Sequence, residues 1–220
     1  SEVTGAGGEV YNMLTNADME FPPVEEPDGG EIRPTLSNVT KLLKRRDRDF
    51  RQRVHETFYD EWGTVRNAVG TAYKNSVKAD IKLAGARNYD TAREAALDDA
   101  NVPVEVYDNL VETVRENLDV LHRHADLKRD ALGVDTLRSW DLYAPLAEGD
   151  VEVPYEEATD HVVAAFAPLG EDYQDRVARG LESRWVDVYE TANKQSGAYS
   201  GGTYDSQPYI LMNYQDDITS

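Results

Sequence analysis

The sequence predicts a mainly α-helical protein, and three observations predict it. Apolar side chains recur at helical spacing through most of the 220 residues. Residues suited to helix starts, Asp90-Thr91, Pro103 and Pro154, stand ahead of those stripes. Strand-like sequence is confined to a hairpin near the N-terminus and one segment near the C-terminus, so a multi-helix array with a very long helix is expected.

The elements follow in chain order. Gly8 to Asn16 reads as a short helix. Met19–Val24 and Glu31–Thr35 then flank Glu25-Glu26-Pro27-Asp28-Gly29-Gly30, whose Asp-Gly step supplies the positive φ a tight hairpin turn requires. Thr35 to Asn38 offers capping groups for a short helix to about Lys44. From Phe50 the positions Val54, Phe58, Trp62, Val65, Val69, Tyr73, Val77, Ile81 and Ala84 continue one stripe, which predicts a single helix roughly 60 Å long at 1.5 Å per residue. Gly63 and Gly70 inside it each cost up to about 1 kcal/mol relative to Ala. Asp90-Thr91 caps a helix to about Asp99. Pro103 opens another that carries Val106, Leu110, Val114, Leu118, Leu121 and Leu127 and closes at Gly133. A loop holding Trp140, Tyr143 and Pro145 leads to Pro154 and a helix stopped at Gly170. The stripe Tyr173, Val177, Leu181, Trp185, Val188 predicts a last helix. Tyr209 to Tyr214 reads as a strand whose obvious partner is only the distant hairpin. The chain divides on this reading into 1–46 (helix, hairpin, short helix), 47–195 (helical domain) and 196–220 (a Gly/Tyr-rich strand region).

Asp and Glu number 42 against 23 Lys and Arg, a formal charge of −19. That surplus argues against nucleic acid and anionic membranes as partners, because phosphate binding rests on clustered cations. No cysteine is present, which excludes disulfides, thiolate metal sites and Cys nucleophiles and favours a cytoplasmic address. No apolar run approaches the ~18 residues of a membrane span, and no signal peptide is read in the first ten residues. Seven Lys stand beside sixteen Arg; a carboxylate-rich, lysine-poor surface keeps its hydration in concentrated salt, so halophilic adaptation is the expectation. Acidic disorder fits less well, since the charges are interleaved with apolar stripes. Lys41 to Arg53 runs the other way with seven basic and two acidic residues; it fits a solvated helix start better than a docking patch.

Metal motifs are incomplete. His55-Glu56-Thr57-Phe58-Tyr59 places Tyr where HExxH needs its second histidine on the same helical face. His122 and His124 point to opposite sides of a helix, and Asp119 with His122 is one i, i+3 pair where a di-metal bundle needs two. No P-loop, GxGxxG or GxSxG occurs. Ser196 to Tyr214, SGAYSGGTYDSQPYILMNY, packs three Gly, four Tyr and one Pro into nineteen residues. Its glycines fit equally a backbone that approaches a peptide main chain and an ordinary flexible turn.

Gly8 to Asp18 (GEVYNMLTNAD), Asp47-Arg48-Asp49, Ala84 to Asp90 (AGARNYD), Val102 to Tyr107 (VPVEVY), Trp140 to Tyr143 (WDLY) and, most specifically, Ser196 to Tyr214 resemble successive stretches of oligoendopeptidase F, in the same order and over essentially the whole chain. The resemblance implies a largely helical zinc metallopeptidase of the thimet-oligopeptidase clan that cuts short peptides in a deep cleft. It implies that a strand like Tyr209 to Tyr214 borders that cleft, where a substrate backbone is held by β-addition, with Gly197, Tyr199, Gly201, Tyr204, Tyr209 and Asn213 as candidate substrate contacts. In that family the zinc-binding HExGH follows; here the sequence ends first. The expectation is therefore a cleft-forming segment without catalytic or metal residues of its own, inactive alone, with zinc belonging to the full-length parent. The alternative is a free-standing acidic helical interaction module.

Overall fold

The computed structural model describes residues 2–146, 152–191 and 194–216, so the last four residues of the 196–220 segment lie outside the described part. Helix α1 (Glu2–Met13) runs straight into a π-helical turn at Leu14–Asp18, closed by Met19 N–H on the Leu14 carbonyl at 2.9 Å. It begins earlier than the Gly8 start read from sequence. Gly7 explains why a glycine-rich stretch stays helical there: a Cβ on it would lie 2.9 Å from the Ala72 carbonyl, so its bareness lets α1 lie close against the long helix. Tyr11 stacks on Trp62 across the same contact.

Strands β1 (Val24–Glu25) and β2 (Glu31–Ile32) form the expected antiparallel hairpin, with Gly29 at φ +88 in its turn. Its paired part is shorter than the sequence stretches that flank the turn. Helix α2 (Val39–Leu43) follows, then α3 (Arg48–Ala86), 39 residues long and capped by the Asp47 carboxylate, which accepts from Phe50 N–H at 2.6 Å. The core lies at its first turns, where Phe50 and Val54 are fully buried against Val24, Leu42 and Leu43, with Ile32, Val39 and Trp140 packed around them. Phe58 stacks on Phe21 at 4.7 Å. Further along, Tyr73, Val77 and Ile81 are exposed; periodicity alone does not distinguish these from the buried half of the same stripe.

Helix α4 (Ala92–Asp98) is capped by Thr91 Oγ1, which accepts from Glu94 N–H. The single helix expected between Pro103 and Gly133 is two, α5 (Val104–Glu116) and α6 (Leu118–Leu132). The break is at Asn117, whose side-chain amide donates to the Thr113 carbonyl at 2.7 Å while its backbone leaves helical geometry. Gly133 ends α6 at φ +64, as a C-terminal cap requires. Helices α7 (Tyr155–Ala165) and α8 (Glu171–Glu182) are separated by a 3₁₀ turn and Gly170.

The last predicted helix ends too early to hold its own stripe. Trp185 and Val188 belong to the approach and body of strand β3 (Val186–Tyr189). β3 joins β4 (Tyr199–Gly201) and β5 (Tyr209–Tyr214) in a three-stranded sheet of order β3-β5-β4. The strand whose sheet the sequence left to the hairpin, to another chain or to sequence not present is thus the middle of its own sheet, parallel to β3 and antiparallel to β4. Val188 stands three residues after Trp185, a spacing that continues the helical stripe, and this hid the strand alternation of Val186 and Val188. No helix among the described residues is long and apolar enough to cross a membrane.

Candidate functional site

The sheet positions the Gly/Tyr-rich segment, and its hydrogen bonding determines which edge is open. Ile210 N–H donates to the Trp185 carbonyl at 2.7 Å, so Ile210 faces β3. Alternation then turns Tyr209 and Leu211 toward β4, where they oppose Gly201 and Tyr199. Ser200, opposite Ile210, consequently points its own N–H and C=O away from the sheet. Since β5 is flanked on both sides, its edge is closed to an added strand. The edge that remains for peptide pairing beside the Gly/Tyr-rich segment is β4, which pairs only with β5 among the described residues.

Three of the six residues singled out from sequence, Tyr199, Gly201 and Tyr209, share this surface. Tyr199 and Gly201 on β4 lie across from Leu211 and Tyr209 on β5, all on one face. Tyr199 and Tyr209 are more than half exposed, and a Cβ on Gly201 would meet nothing within 4 Å. Gly197 and Asn213 come together differently: Asn213 Nδ2 donates to the Gly197 carbonyl at 2.8 Å and to the Gln195 carbonyl at 3.0 Å. Gly197 itself sits at φ +88, a backbone that a side chain would strain. Tyr204 stands apart, fully exposed in the turn between β4 and β5, which Ser206 ties to Thr203.

Two clefts flank the sheet. One, of about 350 Å³, runs between α2 and β5 and is lined by Thr40, Lys41, Gly197 and Asn213 among others. A larger one, of about 580 Å³, opens between the π-helical turn, Arg33 to Ser37 and the segment after β3. Glu190 in its wall accepts from Thr35 Oγ1 at 2.6 Å across it and from Gln215 Nε2, a residue of the smaller cleft, at 3.2 Å. Beneath the sheet Tyr214 donates its hydroxyl to the Val153 carbonyl at 2.6 Å and packs edge-on against Tyr155, whose hydroxyl burial pushes up in pKa.

The basic run is not a solvated helix start throughout. Arg51 is buried, and its guanidinium donates to the carbonyls of Arg45, Arg46 and Trp140 and to the Asp141 carboxylate at 2.9 Å. Arg48 makes a forked contact with the same carboxylate. Asp141 has no exposure: burial pushes its carboxyl up, but hydrogen bonds from Arg48, from Arg138 N–H and from Arg51 outweigh that and bring it down to about 2. Sequence reading missed Asp141, because nothing local links it to residues about ninety positions earlier, and Glu190 was missed for the same reason; the partners of Lys194 are near in sequence, but they become partners only once β3 is formed.

The histidines form no ligand set. His55 lies between the rings of Tyr59 and Trp140, and burial lowers its pKa. His122 and His124 are exposed, and Asp119 pairs with Arg123. Among the described residues no group of three or more His, Cys, Asp or Glu could hold a metal ion.

Comparison with known proteins finds one family and several relatives that match the chain. The model of peptidase family M3 matches residues 41–220. Oligopeptidase PepF of Bacillus subtilis (strain 168) is 40% identical over 221 residues, covering 100% of this chain and 33% of its own length. Group B oligopeptidase PepB of Streptococcus agalactiae is 37% identical, covering 99% of this chain and 36% of its own. Among solved structures, oligoendopeptidase-F from Enterococcus faecium superposes with a TM-score of 0.65 at 32% identity, over 82% of this chain and 34% of that one. PZ peptidase A with an inhibitor reaches a TM-score of 0.76 over 99% of this chain and 39% of that one; at 18% identity this is a likeness of fold. The chain spans about a third of the length of the curated relatives it matches.

Proposed function

This chain belongs to peptidase family M3, and on that premise we propose that it is the non-catalytic, cleft-forming segment of a cytoplasmic zinc metalloendopeptidase that hydrolyses short peptides. The observation that carries this reading is the open β4 edge. Ser200 turns its main-chain donor and acceptor outward, Gly201 leaves the surface bare, and Tyr199 and Tyr209 flank it. An extended peptide added there gains main-chain hydrogen bonds that do not depend on its sequence, while the tyrosine rings contact alternate side chains. Tyr204, fully exposed on the turn between β4 and β5, is free to meet a peptide that extends past the strand. Gly197 and Asn213 contribute by shaping the strand's start.

Peptide hydrolysis in a zinc enzyme needs a Lewis acid and a metal-bound hydroxide. The described residues hold no donor set that fits zinc, so the ligands, the general base and the oxyanion donors are assigned to the two thirds of the relatives' length that this chain does not span. What this chain's residues do is bind and orient. The lysine-poor, acidic composition supports halophilic adaptation of the same protein.

A fluorogenic oligopeptide mixed with this chain and zinc ions is expected to remain intact while shifting the amide resonances of Ser200 and its neighbours. Zinc-dependent turnover would show that the chain holds its own catalytic residues. Shifts confined to α5 and α6, with none on β4, would show that the peptide edge is misplaced.

A further inference from the structure

β3 and β5 pair in step from Val186 with Ile210 to Asp187 with Leu211, and pair again only at Tyr189 with Tyr214. From 187 to 189 on one strand the partner advances from 211 to 214, so β5 carries one extra residue at Met212–Asn213, a bulge that interrupts the ladder. Lys194 reaches into that interruption. Its Nζ donates to the Tyr189 carbonyl at 2.7 Å and the Asp187 carbonyl at 3.1 Å, and the Asp187 carboxylate lies at 3.1 Å. Three acceptors use all three N–H groups of an ammonium. The Lys194 side chain is only 6% exposed, and a buried ammonium persists where its charge and donors are met in this way.

Asn213, inside the bulge, completes the arrangement from the other strand by holding the carbonyls of Gln195 and Gly197. The two side chains thereby pin both ends of segment 194–197, the stretch of chain leading into β4. We propose that Lys194 and Asn213 are positioning residues that, through the β5 bulge, set the place and register of the β4 edge. The inference rests on the reading of β4 as the peptide-binding strand. Neither residue offers a free donor to a ligand: the Lys194 donors are all engaged, and the Asn213 amide donors are spent on main-chain carbonyls.

Hydrogen exchange on this chain reads the clamp directly. Lys194→Met keeps the aliphatic stem and removes the donors; the amides of Tyr199 and Gly201, which face β5, are expected to exchange about tenfold faster, while those of Arg51 to Phe58 in α3 keep their wild-type rates. Asn213→Ala is expected to give the same pattern, and it carries the test should K194M lose protection in α3 and so fail to fold. Unchanged exchange at Tyr199 and Gly201 in folded variants overturns the proposal. Affinity for the oligopeptide, followed at the Ser200 resonance, is expected to fall about tenfold in both variants and to recover partly in Lys194→Arg, which keeps the charge and donors. Faster exchange with unaltered peptide affinity also overturns it, because a displaced edge must bind its peptide less well. A wild-type chain showing no peptide shift at Ser200 would instead refute the peptide edge, and the exchange rates would then decide the clamp alone.

Discussion

Asp141 is a charge with no solvent contact, and it is tolerable because Arg48, Arg51 and the Arg138 N–H occupy its oxygens. Its carboxyl is held at about 2 in the fold. A depressed carboxylate stabilises the fold fully above its unfolded value and loses that contribution as pH falls from about 4 through about 2, which amounts to about 2 kcal/mol. Asp141→Asn leaves the buried Arg51 guanidinium without its countercharge, so a loss of about 3 kcal/mol is expected at neutral pH. Urea unfolding of both proteins from pH 7 to pH 2 checks the sign: the gap should narrow by about 2 kcal/mol on the acid side. A gap independent of pH would mean that the carboxylate's charge is not what Arg51 requires. At this scale the sequence was legible for residues that act locally. Thr91 as a cap and Gly133 as a helix stop follow from their neighbours, whereas Asp141 answers to arginines about ninety residues away and leaves no local mark.

At the scale of elements, what periodicity captured and what it missed have one cause. The α3 stripe is long enough to admit only a helix, and the Asp-Gly turn admits only a tight hairpin. Trp185 and Val188 continue the α8 stripe numerically, yet the chain leaves the helix at Glu182 and Trp185 folds back over Gly180. A Cβ on Gly180 would lie 2.6 Å from a Trp185 ring carbon. That ring cannot retreat freely, since the Trp185 carbonyl accepts the Ile210 N–H that anchors β5. Gly180→Ala is therefore expected to destabilise by about 1 to 2 kcal/mol, overpacking outweighing the helix-propensity gain of up to about 1 kcal/mol. Gly63→Ala in α3, where the added methyl meets open space, keeps only the gain and should stabilise by up to about 1 kcal/mol. Thermal unfolding of the two variants side by side separates packing from propensity; equal shifts would remove Trp185 from the account. The candidate site was legible as a segment, because its glycines and tyrosines are contiguous. Its open edge was not, since that depends on β3 having been found.

For the whole molecule the governing quantities are the charge of −19 and the amount of apolar surface left outside the core. Helices α5 and α6 bury no residue, and Val106, Leu110, Val114, Leu121 and Leu127 are all more than half exposed. Salt acts on both quantities in the stabilising direction, but over different ranges. Screening of carboxylate repulsion is largely complete once the Debye length falls from about 10 Å at 0.1 M to about 3 Å at 1 M. Strengthening of apolar burial and retention of surface hydration continue above that. Halophilic adaptation therefore predicts a Tm that rises by about 5 °C or more between 0.1 M and 1 M KCl and goes on rising toward 3 M. A rise that stops near 0.5 M would assign the effect to charge repulsion alone, which any acidic protein shows. A Tm unchanged or lowered in molar KCl would mean that the carboxylate surplus serves some end other than life in salt, since neither screening nor hydration would then contribute to the stability of this fold.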